Sequence, residues 1–407
     1  MRNPFKNIGP GALIAAAFIG PGTVTVCTLA GVQFGYGLLW AMILSIIATV
    51  ILQETAARIG LVSGKGLSQV LREQLPDGIL RKLILGLVLA AIVVGNAAYE
   101  GGNISGGVLG LQALGNDGII HLKSFQLNGY SLLIGAVAFV LLYIGNYKVL
   151  EKVFLVLVIL MSLSFVITAI LTGPDLFDLL NNAFIPGVPE GSLLMIIALV
   201  GTTVVPYNLF LHASLVNQKW KDKRELPAAR KDTIIAVVLG GIVSMCIIIA
   251  AAAINGSSVD GAAGLALSLE PLYGEAARYC IGLGLFAAGI TSAITAPLAG
   301  AYVAQGCLNL DGNQQSKPFR ATWMLILFTG VLLATFGIKP IAIIQFAQIA
   351  NGILLPVIAG ILIWLANRTN LLGEHKNSTL KNAISLVILI ITCILGGKVI
   401  LTVIGSL

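Results

Sequence analysis

Gly20-Pro21-Gly22-Thr23 and Val204-Val205-Pro206-Tyr207-Asn208 are the two stretches on which the fold turns. Each lies in the middle of a long apolar run. Proline removes a backbone donor and clashes with the preceding turn, so each run reads as a helix broken near its midpoint. In lipid, freed backbone groups are tolerated only where protein or a wet cavity satisfies them. The two prolines are 185 residues apart, and the same shift carries the apolar runs that follow the first break onto or near those that follow the second. Paired, interrupted helices in corresponding halves are the sequence pattern of a midplane binding site in a secondary transporter.

The composition sets the solvent. Of 407 residues, 57% are apolar and only 10% charged, with a mean hydropathy of +0.97. A soluble domain carries about 25% charged residues. A cytosolic enzyme, a disordered chain and a nucleic-acid binder are therefore excluded, and the expected surroundings are a lipid bilayer. Eleven runs are long enough to span one: 11–31, 37–58, 82–101, 130–146, 149–172, 191–215, 232–254, 273–299, 321–338, 340–366 and 380–405. They are too long for barrel strands, which need ~10 alternating residues. The predicted fold is all-α and polytopic: a five-plus-five inverted repeat with spans one and six broken at the midplane. Residues 1–407 form one transmembrane domain, with repeat one at about 10–172, repeat two at about 191–366 and an extra span at about 380–405.

Charge placement orients the chain. With the N-terminus inside, 20 of the 24 Lys and Arg residues fall on inner segments, including the run Lys219 to Lys231. Lys123, Arg278 and Lys339 fall outside, and Lys398 lies within the last span. This bias predicts a cytoplasmic N-terminus and, with eleven spans, an outer C-terminus. The net charge of +7 is thus a topology signal rather than a nucleic-acid footprint. Glu54 and Arg58, at i,i+4 near the inner end of span two, are expected to pair. Cys27, Cys246, Cys280, Cys307 and Cys393 show no CxxC spacing and read as small apolar side chains. No HExxH, GxSxG or phosphate-binding glycine loop is present, so the chain does not read as an enzyme.

Several segments are similar to those of one known family. Gly9-Pro10-Gly11 opens span one, and Gly35-Tyr36-Gly37-Leu38-Leu39-Trp40 opens span two. Gln53 to Gly60 reads QETAARIG, and Leu150-Glu151-Lys152 precedes span five. Val205 to His212 reads VPYNLFLH against a family MPHNLYLH, with Ala287-Ala288-Gly289 and Leu298-Ala299-Gly300 in span eight. On these residues the chain resembles the NRAMP family of divalent metal-ion transporters, of the amino-acid/polyamine/cation superfamily with its LeuT-like fold. The resemblance covers nearly the whole chain. It implies a proton-coupled symporter for manganese or iron in a prokaryotic plasma membrane.

The resemblance also implies a binding site, and here the sequence departs from the pattern. The family's metal-binding Asp, Asn and Met positions are Gly20, Thr23 and Val205, and its span-six His is Tyr207. Thr202 stands at the carbonyl-donating position. Gln348 and His212 keep the family's polar residues. The acidic proton-carrying pair of span three aligns with Leu89 and Ile92. The candidate substrate residues are Gly20, Gly22, Thr23, Thr202, Thr203, Val205, Tyr207, Asn208, Gln348 and Asn351, all uncharged. Hard cations recover their hydration energy from several oxygens, typically carboxylates, whereas half-helix N-termini suit a substrate carboxylate. The sequence therefore favours an amino acid or small carboxylate-like solute. The alternatives are a hydrated divalent ion (Mg²⁺ or Mn²⁺) in an altered site, and a channel. Thr291, Ser292 and Thr295 are candidate ligands for a coupling Na⁺, or hydroxyls that bond back to their own helix. His212 is a candidate for an inner proton or solvent route, or equally a buried, hydrogen-bonded structural residue; Glu100 is a candidate proton carrier, with a wet vestibule or structural pairing as the favoured alternative. Glu100, 18 residues beyond Lys82, is expected near the outer surface. The coupling ion, H⁺ or Na⁺, and the oligomeric state stay open.

Overall fold

The computed structural model describes residues 19–122, 125–145, 148–254, 259–310, 313–336 and 338–405. Residues 11–18 of the first predicted span and Lys123 lie outside them. The first repeat comprises α1 (Pro21–Phe34), α2 (Leu39–Ser63), the short α3 (Leu67–Gln74) and α4 (Ile79–Leu114). A β1–β2 hairpin (Ile119–Leu122, Phe125–Asn128) then leads to α5 (Gly129–Ile144) and α6 (Lys148–Leu171). The short α7 (Leu176–Phe184) links to the second repeat: α8 (Leu193–Thr203), α9 (Pro206–Lys219) and α10 (Leu226–Ala252). Next come the short α11 (Gly261–Ala266) and α12 (Glu270–Tyr273), then α13 (Ala277–Leu308), α14 (Lys317–Thr335) and α15 (Pro340–Ala366). A single turn, α16 (Thr369–Leu372), precedes α17 (Thr379–Gly405). Among the described residues, nine helices, α8–α9 being counted as one, are long and apolar enough to cross a membrane, and Gly129–Ile144 is a shorter apolar one.

The proline punctuation does what its chemistry requires. α1 begins at Pro21 and α9 at Pro206, each with proline in its first turn and each 14 residues long. Proline is tolerated there because its missing N–H would have had no partner in any case. α8 stops at Thr203, and Val204 and Val205 form a short extended link before α9. The 185-residue shift carries α2 onto the position of α10, and α4, α5 and α6 onto those of α13, α14 and α15 within 13 residues.

Both broken segments are central. Every residue from Pro21 to Gly31 is buried, as is every residue from Met195 to Ala213. A helix apolar all round belongs inside a bundle. The main seam of the core joins α4 to α13, where glycines let the backbones approach. A Cβ on Gly289 would lie 2.6 Å from Gly107 N, and one on Gly282 would lie 3.0 Å from Gly110 O. In membranes such small-residue seams replace the hydrophobic drive with close van der Waals packing. α17 packs on α15 at the periphery, and its Leu386, Val387 and Ile390 face outward.

The predicted span at 340–366 matches α15, and most other ends shift by a few residues. Span three is the main correction. It runs from Ile79 to Leu114, 36 residues rather than the 20 of 82–101. The expected end at residue 101 falls within Glu100-Gly101-Gly102-Asn103, whose polar and small residues face the bundle and are buried. The hairpin of residues 119–128 was not anticipated; it pairs Ile119 with Asn128 and His121 with Gln126. Asn128 then caps α5 by accepting from the Tyr130 and Ser131 amides.

Candidate substrate site at the paired helix breaks

The two breaks meet side by side. Thr23 Oγ1 on α1 lies 3.0 Å from Thr202 Oγ1 at the end of α8. Gln348 on α15 closes the third side: a Cβ built on Gly22 would overlap its amide nitrogen and lie 3.4 Å from Thr202 Oγ1. Gly22 is therefore the space into which the Gln348 amide fits. Gly201 serves the backbone in the same way, since a Cβ there would overlap the Gln348 carbonyl oxygen. Four predicted residues, Gly22, Thr23, Thr202 and Gln348, thus form one cluster, buried to within a few per cent.

The rest of the predicted set divides. Tyr207 is 1% exposed and stacks edge-on against Tyr99 of α4, with ring centroids 5.1 Å apart. Tyr99 also neighbours Gln348, and Tyr207 neighbours Thr295, so these side chains extend the cluster toward α4 and α13. Gly20 is extended (φ −78°, ψ 173°) and starts α1; Val205 does the same for α9 (φ −83°, ψ 117°). Neither helix has a side-chain cap, so partial positive charge from both N-termini is directed at the breaks. Thr203 is turned away, donating to Leu199 O at 2.7 Å and lying 3.7 Å from Met42 Sδ. Asn208 and Asn351 are buried.

Several polar atoms here have no protein partner among the described residues: Gln348 Oε1, Asn208 Nδ2 and Asn351 Nδ2. Buried polar groups are ordinarily hydrogen-bonded. Their concentration around two broken helices marks a place where water or a ligand completes the polar contacts.

The span-three reading is corrected by the same neighbourhood. Leu89 and Ile92 pack into the apolar core. The polar face of α4 lies further along, at Asn96, Tyr99, Glu100 and Asn103, an i, i+3, i+4, i+7 stripe. Asn96 Nδ2 donates to Ala296 O at 2.8 Å, bracing α4 on α13. Glu100 is fully buried and, through its neighbour Tyr99, at the level of the breaks, not at the outer surface. Its Oε2 accepts from Asn103 Nδ2 at 3.2 Å, and its Oε1 has no partner among the described residues. No cation pairs with it among the described residues. Tyr99 and Asn103 were missed because each looks ordinary alone; the helical spacing of all four residues was the available signal.

His212 is not solvated in this structure. It is 0% exposed, with Nδ1 2.8 Å from Gln53 Oε1 on α2. Its Nε2 lies 3.4 Å from Thr233 Oγ1, whose own proton goes to Ala229 O. The ring ties α9 to α2 and α10. In α13, Thr291 donates to Ala287 O and Ala288 O, and Thr295 to Ser292 O. These hydroxyls bond back to their own helix, and Ser292 is buried beside them.

A family model described as natural resistance-associated macrophage protein-like (Nramp) matches residues 11–402. The divalent metal cation transporter MntH of Klebsiella pneumoniae is 29% identical, over 98% of this chain and 94% of that protein. MntH of Caldanaerobacter subterraneus is 24% identical, over 98% and 93% respectively. Among solved structures, the Eremococcus coleocola manganese transporter superposes with a TM-score of 0.75 at 18% identity, over 97% of this chain and 87% of that one. MhsT in complex with L-phenylalanine superposes with a TM-score of 0.61 at 15% identity, over 96% and 98%. Both likenesses show a shared LeuT-like fold. With the family model matching residues 11–402, the chain belongs to the Nramp family of integral membrane transporters and is not an enzyme.

Proposed function

We propose that the chain is a proton-coupled, alternating-access transporter whose cargo is a divalent metal ion carried with part of its hydration shell. The relatives support the cargo class, since MntH of two distant bacteria and the Eremococcus protein are named for divalent or manganese transport. They weigh against the amino-acid-like solute favoured by the sequence alone. The site supports the hydrated form. Its donors are the hydroxyls of Thr23, Thr202 and Tyr207 and the amide oxygen of Gln348, with neither a carboxylate at Gly20 nor a thioether at Val205. Stripping a unit charge of its water costs of order 20 kcal/mol by an idealised Born estimate, and a double charge several times more. Neutral oxygens replace only part of that, so the ion keeps inner-shell water. A donor set of oxygens without sulfur or imidazole suits Mg²⁺ or Mn²⁺ better than softer ions.

The observation that carries this reading is the Gln348 amide packed against Gly22, next to the Thr23–Thr202 pair, with its Oε1 lacking a protein partner among the described residues. Glu100 is the coupling group: an intramembrane carboxylate without a cation, next to Tyr99, can take up and release one proton as the cargo moves. The expected setting is a prokaryotic plasma membrane with the N-terminus cytoplasmic. The test is Mn²⁺ and Mg²⁺ uptake into proteoliposomes by the wild type, Thr202→Val and Gln348→Ala. Saturable uptake weakened in both variants supports the assignment, and uptake unchanged in both overturns the site.

One observation favours a second reading. The uncapped N-termini of α1 and α9 face a break from which the carboxylate at position 20 is absent, an arrangement that suits a carboxylate-bearing organic solute. Uptake of an amino acid with no Mn²⁺ or Mg²⁺ uptake would select it.

A further inference from the structure

A second charged site lies away from the breaks, where α2, α10 and α17 meet at the basic end of the bundle. Glu54 is a single carboxylate shared by three cations. Its Oε1 lies 2.6 Å from Arg230 Nε, 3.3 Å from Lys381 Nζ and 3.3 Å from Arg58 Nε. Arg58 is fully buried and spent on the protein, donating to His375 O and Asn377 Oδ1 at 2.6 Å each. Arg230 and Lys381 differ: their side chains are 36% and 41% exposed, and each has its one side-chain hydrogen bond among the described residues with Glu54. The group carries two positive charges in excess.

These cations border a cleft of about 230 Å³, which Glu54 also lines, with Thr55 and Ser385 as further polar walls. The other walls are apolar: Val50 and Ile51 from α2, Ile234 from α10 and Ile384 from α17. Ile234 and Ile384 are 41% and 38% exposed, so the cleft opens on the outer flank of the bundle, where the bilayer lies. A water-filled anion site would not need apolar walls running into lipid. A phosphodiester with an attached acyl chain uses both halves: the phosphate accepts from Arg230 and Lys381, and the chain covers the isoleucines. Basic pockets between transmembrane helices on the cytoplasmic side suit anionic headgroups in this way.

We propose that this cleft binds one anionic glycerophospholipid of the inner leaflet, its phosphate held by Arg230 and Lys381. Each cation near a membrane surface is worth ~1 kcal/mol toward an anionic lipid, or about fivefold in occupancy.

The test is native mass spectrometry of the full-length protein released from nanodiscs of equal parts phosphatidylglycerol and phosphatidylcholine. The wild type is expected to retain one phosphatidylglycerol in preference to phosphatidylcholine. Arg230→Gln and Lys381→Gln each lower that preference about fivefold, and millimolar inorganic phosphate does not displace the lipid. Equal retention of the two lipids, an undiminished preference in both variants, or displacement by inorganic phosphate overturns the proposal. Circular dichroism and size exclusion check folding. If Arg230→Gln misfolds, the half-exposed Lys381 decides the matter alone.

Discussion

Gly22→Ala separates the site from the fold. The added methyl would overlap the end of the Gln348 side chain, with 2.8 Å to its Cδ, while Thr202 Oγ1 stays at 3.4 Å. The obstacle is the tip of a flexible side chain, so Gln348 swings away and the backbone stays. Moving one side chain off its rotamer costs about 0.5–1.5 kcal/mol, a small fall in melting temperature. The site loses an amide oxygen. A hydrogen-bond-like contact to a charged group is worth about 1.5–3 kcal/mol, so the KM for ion uptake rises roughly ten- to hundredfold. The assay is concentration-dependent Mn²⁺ uptake into proteoliposomes by the wild type, Gly22→Ala, Gln348→Ala and the double variant. Because both single changes act through the same amide, the double variant should be no worse than Gln348→Ala. Gly86→Ala is the control, since a Cβ there meets nothing within 4 Å. A KM unchanged in Gly22→Ala, or effects that add, would refute the reasoning.

Other substitutions probe other parts of the account. Gly201→Ala pushes a methyl into the Gln348 backbone carbonyl, where nothing flexible can yield; a stability loss of about 1–3 kcal/mol should appear as a lower melting temperature in detergent, and an unshifted melt would show that α8 and α15 are not in close contact. Glu100→Gln keeps shape and removes a proton-binding group, so uptake should lose its response to a pH gradient while the melting temperature holds; a retained pH response would exclude Glu100 as the coupling group. Glu54→Gln strips the counter-charge from buried Arg58, and breaking a buried pair costs about 3–5 kcal/mol. The hydrogen bonds of Arg58 to His375 and Asn377 keep the loss near the lower end, and a variant as heat-stable as the wild type would show that the network does not hold α2 to α17.

How far the sequence could be read depends on the range of the physics involved. The breaks at Pro21 and Pro206 are local backbone chemistry and appear where the prolines stand. α15 begins at Pro340 and ends at Ala366 as its apolar run indicates. The apolar run of α4 thins out after residue 101, where Gly101, Gly102 and Asn103 follow Glu100, yet these residues face the bundle, where a helix has no need to be apolar. Polar spacing, not hydropathy, distinguishes that case. The i,i+4 pair Glu54–Arg58 is legible from spacing, and the structure contains it. Arg230 and Lys381 join it from 176 and 327 residues away, contacts that only the packing of three helices creates. The same holds for the site. Thr23, Thr202 and Gln348 were nominated one by one, but the fit of the Gln348 amide against Gly22 exists only in three dimensions. For His212 the sequence leaves open a proton or solvent route and a buried structural role, and the packing of α9 against α2 and α10 makes it a buried node.

The proposed role of the neutral oxygens at the paired breaks is to serve a partly hydrated divalent ion. Its most direct test is wild-type protein in liposomes under an imposed proton gradient, with uptake of Mn²⁺, Mg²⁺ and a panel of amino acids measured side by side. Saturable, gradient-driven uptake of a divalent ion is expected, with no uptake of the amino acids. Amino-acid accumulation without any divalent-ion uptake would contradict it.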